Sequence, residues 1–375
     1  MPALAAILVY TGYRLATPEN LLRIYKVGKE QAIIFLATLV ATLLTSLTSG
    51  ILIGILTTFL VHVILNKSVV LFSRNWLKPN VLMYLEEETG NYYVSVKNFC
   101  SFLNFFKLKA KLDEIPPSAH AIIDFSLCEF VDHTVMEGLN DYSQSFSRQD
   151  GFFEIIGLDV HQAKTEHPFA IRKSLPEFSL MNFQISLTKR QKLLQELSTM
   201  LDWNYLPDPI SNYDNLERFF YFKTKWINYR YNNLESKNKE FLLFDLSYSE
   251  GAFIAKEDLR STFLQIRTQN KMPVFALDKE NFMTTIMHLS GMDDIDFKKN
   301  PDFSKRFYLR GEDEKAIRNF FTDDLIYFFE SHPTYYLESN EDSILIRSKE
   351  RLASIQEIKQ ILAFAKELVK ILENK

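Results

Sequence analysis

Between Gln31 and Leu65 the chain carries no Lys, Arg, Asp, Glu or Pro; the run reads QAIIFLATLVATLLTSLTSGILIGILTTFLVHVIL. Uncharged apolar runs of this length point to a membrane, the competing reading being a buried helix pair in a soluble protein. As one helix the run would extend about 52 Å, far beyond a ~30 Å hydrocarbon core. A small polar patch, Thr45-Ser46-Leu47-Thr48-Ser49-Gly50, lies near its middle. The run therefore predicts two short membrane helices, over residues 31–44 and 50–65, folded as a hairpin. Each is slightly short for a full span, so shielding by neighbouring helices is expected.

The flanks set an orientation. Residues 1–13 are also uncharged, too short to span alone, and without the basic start or cleavage site of a signal peptide. They read as the tail end of a membrane helix. Arg14, Arg23, Lys26 and Lys29 precede the hairpin, and Lys67, Arg74 and Lys78 follow it. A hairpin returns both flanks to one face, and this basic excess places that face in the cytoplasm. Gly50 and Gly54 make a GxxxG spacing that permits close helix contact.

Composition closes several other routes. The 43 Lys and Arg against 47 Asp and Glu give a net charge of -4, which argues against a nucleic-acid-binding surface over the chain. With 11 glycines there is no GxGxxG, GxxxxGK[ST] or GxSxG motif, so phosphate-cradling loops and a nucleophile elbow are not expected. Cys100 and Cys128 are too few for a disulfide framework or a cysteine-rich metal site; they read as reduced core residues. The seven histidines form no HExxH pair, and His161, Glu166 and His167 are a weak metal suggestion only. Asp293-Asp294-Ile295-Asp296 lacks the glycine and terminal Glu of a calcium loop and reads as an acidic turn. No nucleophile, base and metal converge, so neither an enzyme nor a cofactor is expected.

After Pro79 the pattern alternates. Residues 81–85 and 93–96 predict two strands joined at Thr89-Gly90-Asn91. Apolar residues at Phe99, Phe102, Leu103, Phe106 and Leu112 predict a helix over 99–112. Residues 119–125 read as a buried strand, 134–145 as a helix and 152–158 as a further strand, an order that suggests a mixed α/β layer.

The stretch IIDFSLCEFVDHTVMEGL in this module closely resembles the signature of STAS domains. The preceding PALAAILVYTGYRL and IYKVGKEQAIIFLATLVATLLTSLTSGILIGI resemble the last membrane helices of SulP-type anion transporters, a family that places a STAS domain directly after its final membrane helix. Together these blocks cover roughly residues 1–173. The resemblance implies fourteen membrane segments in two inverted repeats, with an anion site at broken helices near the midplane. Only the last segments, which in the family belong to the gate or scaffold, have counterparts here, so no transport-site residue is carried over.

Asp132-His133-Thr134 is the regulatory candidate: STAS proteins of the anti-sigma-antagonist type place their phosphorylatable hydroxyl at this turn, and Thr134 matches that position. The structural alternatives are a capping box, Thr134-x-x-Glu137, or a cap by Asp132 itself.

The C-terminal half opens with a second capping box, Thr188-x-x-Gln191, before a helix over Leu193, Leu194, Leu197 and Leu201. An aromatic-rich stretch around 219–226 follows. Strands are predicted at 241–246, 251–255, 272–277, 306–309, 335–338 and 343–347, with helices at 312–321 and 324–330. Ser354-x-x-Glu357 caps a final amphipathic helix, and no catalytic constellation is visible.

The sequence thus predicts a membrane α-helical N-terminal segment (1–78), a cytoplasmic α/β STAS-like domain (79–175) and a further α+β domain (188–375). The expected function is the C-terminal portion of a SulP-type sulfate- or bicarbonate-like anion transporter at the cytoplasmic membrane, transport-incompetent alone. The alternative is a membrane-tethered STAS docking or signalling protein. Expected partners are membrane lipid, the remaining transporter core or a second copy, and a cytoplasmic protein at the STAS module, with no nucleic acid.

Overall fold

The computed structural model describes residues 6, 9–10, 12–14, 17–66, 81–174, 187–211, 216–251, 257–279 and 294–373. The chain divides into two compact units, in the main Met1–Leu175 and Leu187–Lys375. The basic flank at Lys67, Arg74 and Lys78 lies outside the described residues.

The first unit begins with α1 (Pro18–Val27), α2 (Lys29–Leu44) and α3 (Leu47–Asn66). Extended backbone at Gly28 separates α1 from α2. The polar patch is shorter than its sequence suggested: Thr45 and Ser46 alone make the corner. The Ser46 hydroxyl accepts from the Ser49 amide (3.3 Å) and so caps α3, which starts at Leu47 rather than Gly50. The two helices pack antiparallel, with Gly50 against Thr42 and Gly54 against Thr38. The GxxxG pair is therefore spent inside the hairpin. Among the described residues one helix is long and apolar enough to cross a membrane, Leu47–Leu65 with a mean hydropathy of 2.1. Its partner α2 has 16 residues, about 24 Å at the usual helical rise.

A mixed layer follows: β1 (Val81–Leu85), β2 (Tyr92–Cys100), α4 (Phe105–Leu112), β3 (His120–Val131), α5 (His133–Ser147), β4 (Phe152–Ile156), β5 (His161–Ala163) and β6 (Arg172–Ser174). The sheet order is β1-β2-β3-β6-β5, with β4 also on β3. β2, β3 and β4 run parallel and the other pairs antiparallel. Val94, Ile123 and Phe125 pack with Leu108 and Leu112 of α4 and with Val135 and Leu139 of α5.

Two boundaries differ from the sequence reading. Phe99 belongs to β2, not to a helix beginning there, because a register shift between Asn98 and Phe99, with Asn98 at φ 63, lets the strand continue to Cys100. β3 runs six residues past Phe125, where a turn was expected, because β2 and then β6 pair with its second half. The spacing of Phe99 and Phe102 imitated a helix for another reason: both meet His62 of α3, as described below.

The second unit contains α6 (Lys189–Leu201), β7 (Asn204–Leu206), β8 (Trp226–Glu235), β9 (Phe241–Glu250), β10 (Glu257–Arg267), β11 (Phe275–Lys279), α7 (Pro301–Arg306), β12 (Phe307–Gly311), α8 (Glu314–Phe320), α9 (Asp323–Ser331), β13 (Tyr336–Ser339), β14 (Ser343–Arg347) and α10 (Ile355–Glu373). Its eight strands form one antiparallel sheet in the order β12-β11-β13-β14-β10-β9-β8-β7. α6, α9 and α10 cover one face through Leu194, Ile326, Ile358 and Leu362. Two 3-10 turns, Leu216–Arg218 and Phe220–Phe222, cover part of the other with Phe219, Tyr221 and Phe222. Both capping boxes form as expected. β8 was not foreseen: residues Tyr229 to Leu234 are all buried, so the strand shows no inside–outside alternation. The strand expected at 251–255 falls largely outside the described residues, and the partner of β9 starts at Glu257.

Candidate functional site

The turn between β3 and α5 holds the three residues the sequence singled out, and each has a different role. Asp132 is the helix cap. Its carboxylate accepts from the Val135 amide (2.9 Å) and from the Phe102 amide (2.7 Å), while its own amide donates to the Cys100 carbonyl (3.1 Å). One buried side chain thereby ties the start of α5 to the loop after β2. Burial raises its pKa to about 6, against the pull of the Val135 and Phe102 amides. A proton retained in the folded state makes the fold lose stability as pH rises from 3.8 to about 6.

Thr134 is the second residue of α5 and is exposed. The capping-box alternative is thus corrected: Asp132 fills the cap, and Glu137 instead approaches His133, 3.6 Å away. Helix-start amides beside an exposed hydroxyl are a favourable setting for an added phosphate.

His133 faces the N-terminal helices. Its Nδ1 lies 3.1 Å from the Phe169 carbonyl oxygen. With Ile24 and Val27 of α1 and Gln31, Ile34 and Phe35 of α2 it lines a cleft of about 320 Å³. Further bonds hold the base of the hairpin on the α/β layer. Thr165 Oγ1 donates to the Val27 carbonyl (2.8 Å), Lys164 Nζ lies 3.6 Å from buried Glu30, and Lys173 Nζ donates to the Leu65 carbonyl (3.3 Å). His62 of α3 packs edge-on against Phe99, Phe102 and Phe130, the last 5.3 Å away. Phe99 and Phe130 stack on each other at 4.7 Å. Nothing in the sequence foretold this aromatic seat, because Phe99 and Phe102 come from the end of β2 and the loop after it and Phe130 from β3.

The remaining candidates have other work. His161 Nε2 lies 2.6 Å from the Cys128 carbonyl oxygen, and His167 Nδ1 accepts from the Phe169 amide (3.1 Å). Among the described residues no group of three or more His, Cys, Asp or Glu is placed to hold a metal ion. Cys100 and Cys128 are free and buried, and burial pushes the Cys128 thiol up to about 12. Asp293 lies outside the described residues; Asp294 is half-buried and accepts from the Leu309 amide (3.0 Å).

No family model matches the chain and no curated protein matches it. Among solved structures it is similar to the crystal structure of the mycobacterial trehalose monomycolate transport factor A, TtfA, with 8% identity and a TM-score of 0.35 over 48% of this chain and 93% of that one. A likeness of that degree carries no argument about function.

Proposed function

We propose that this chain is the C-terminal portion of a SulP-type inorganic anion transporter at the cytoplasmic membrane, supplying gate or scaffold helices and a cytoplasmic STAS regulatory module to a core formed by other segments. The observation that carries the reading is the bonding of an apolar hairpin, at its base, to the α/β layer that holds the Asp132 turn. A charge change at Thr134 would act on the residue next to His133, which lines the hairpin-facing cleft.

The same geometry supports transport incompetence in isolation. An anion at mid-depth needs donors or cations facing it, since an unpaired charge there is costly. The threonine hydroxyls of the hairpin are committed to their own helices: Thr38 donates to Ile34, Thr42 to Thr38 and Thr58 to Gly54. His62, the one ionisable side chain in the 31–65 run, sits in the aromatic seat. Purified chain in liposomes should take up sulfate and bicarbonate no faster than empty vesicles; saturable uptake would overturn the proposal. A second reading, a membrane-tethered STAS docking protein, is favoured by the exposure of Thr134. It predicts a cytoplasmic partner that binds the chain without any transporter core.

A further inference from the structure

We infer that α1 is an in-plane anchor lying on the anionic headgroup surface of the membrane that takes up the α2–α3 hairpin; the inference rests on the membrane reading above. α1 has two apolar sides. Ile24 and buried Val27 face the cleft shared with α2 and His133. On the other side Leu22 and Tyr25, one turn apart, are 62% and 53% exposed, with exposed Pro18 in line. Lys26 of α1 is exposed beside this stripe, and Arg23 of α1 and Lys29 at the start of α2 are exposed as well. The acidic residue of the helix, Glu19, stands in its first turn, where the helix dipole favours it.

The position of this stripe says what covers it. Gly50 meets Thr42 and Gly54 meets Thr38, and the same register carried downward brings the start of α2 level with the last turn of α3. α1 joins at that level, through extended Gly28, which frees it to leave the axis of α2. It therefore lies where the uncharged hairpin ends and charge begins. A short helix there, apolar on its outer side and edged with Arg and Lys, has the pattern of an interfacial helix. Its apolar side chains enter the headgroup boundary while basic side chains reach back to phosphate. A cytoplasmic leaflet rich in anionic lipid attracts such a basic edge.

The test uses the full-length chain with single bimane labels at Leu22→Cys and Leu56→Cys; native Cys100 and Cys128 are buried. Vesicles contain phosphatidylglycerol with phosphatidylcholine, or phosphatidylcholine alone, and carry nitroxide lipids labelled at the headgroup or at mid-chain. The label at 56 should be quenched by the mid-chain probe, and the label at 22 by the headgroup probe, about twofold more in the anionic vesicles. Arg23→Gln with Lys26→Gln should abolish that twofold difference. Equal headgroup quenching at 22 in both vesicle types would overturn the assignment to anionic headgroups. Quenching at 56 without any at 22 would place α1 off the bilayer and leave the hairpin reading intact. Spin-label broadening between residues 22 of two copies, without headgroup quenching, would overturn the anchor in favour of a second copy. No quenching at 56 would remove the membrane reading and the anchor together.

Discussion

The α2–α3 hairpin and the C-terminal sheet unit satisfy their polar groups in opposite ways. In the hairpin five threonine hydroxyls find their partners within one turn. Thr38, Thr42, Thr45, Thr57 and Thr58 all donate to the carbonyl four residues back, at 2.7 to 2.8 Å. The sheet unit buries full charges and satisfies them across long sequence separations. Arg190 of α6 grips Asp245 of β9 at 2.6 and 3.2 Å and also donates to the Ala353 carbonyl (3.2 Å). Asp245 accepts further from Asn232 (2.8 Å) and Thr262 (2.6 Å). On the other face of the sheet, buried Glu338 accepts from the Phe220 and Tyr221 amides and from Tyr336 (2.6 Å). In the membrane setting proposed above, local satisfaction is the safe solution, because unpaired polar groups there cost several kcal/mol. The sheet unit assembles its network from distant segments, and then depends on every member of it.

The largest expected effect tests that dependence. Asp245→Ala leaves Arg190 charged and unpaired in the core and should cost about 3–5 kcal/mol, read by urea unfolding followed through tryptophan fluorescence and hydrogen exchange of β9. Replacing both partners by Leu and Met should recover most of the loss; a double variant as unstable as the single one would show that the pair organises the sheet rather than merely satisfying itself.

Next in size is the hairpin seam. A Cβ on Gly50 would stand 2.9 Å from the Thr42 Cα as well as overlapping its side chain. Gly50→Leu should separate the helices at a cost of about 1–3 kcal/mol, seen as faster exchange of α2 and α3 amides in detergent. Thr42→Val, by contrast, loses only a hydroxyl bonded within its own helix and should be mild. Equal damage from the two would break the claim that the seam depends on close backbone approach.

A smaller and pH-dependent effect belongs to Glu338, whose pKa burial raises from 4.5 to about 7, with Tyr336 and the Tyr221 and Phe220 amides pulling the other way. The folded state holds a proton that the unfolded chain has released, so this group's contribution to stability is present below pH 4.5 and is lost as pH rises toward 7. Glu338→Gln should flatten the stability profile across that window in a pH series of melts. An unchanged profile would mean that Glu338 ionises in the folded state as readily as in the unfolded chain.

Least affected should be Thr134→Ala. Because Asp132 is the cap, removing the hydroxyl should change stability by about 0.5 kcal/mol or less, whereas Asp132→Ala should cost ~1–2 kcal/mol. Thr134→Glu at matched stability separates the regulatory role from architecture: altered partner binding supports a switch, and equal binding by the Ala and Glu variants removes it.

Much of this was legible in the chain itself. An uncharged run of this length with a polar centre admits little besides a helical hairpin. The Thr188/Gln191 and Ser354/Glu357 boxes marked two helix starts to the residue, because capping is a contact between residues three apart. The candidate turn was found, but its division of labour was not. Whether Asp132 or Thr134 caps α5 depends on where β3 ends, and that depends on pairing with β2 and β6.

Local patterns therefore determined the helices, the caps and the apolar character of the hairpin, since each rests on neighbours within a turn or two. Only the tertiary structure decided that Gly50 and Gly54 serve the hairpin's own seam, that Phe99 and Phe130 seat His62, and that Arg190 meets Asp245, 55 positions along the chain. The reason is the same in each case: a contact between segments far apart in sequence leaves no periodic trace in either of them, and is chosen by which surfaces the packed elements bring within reach.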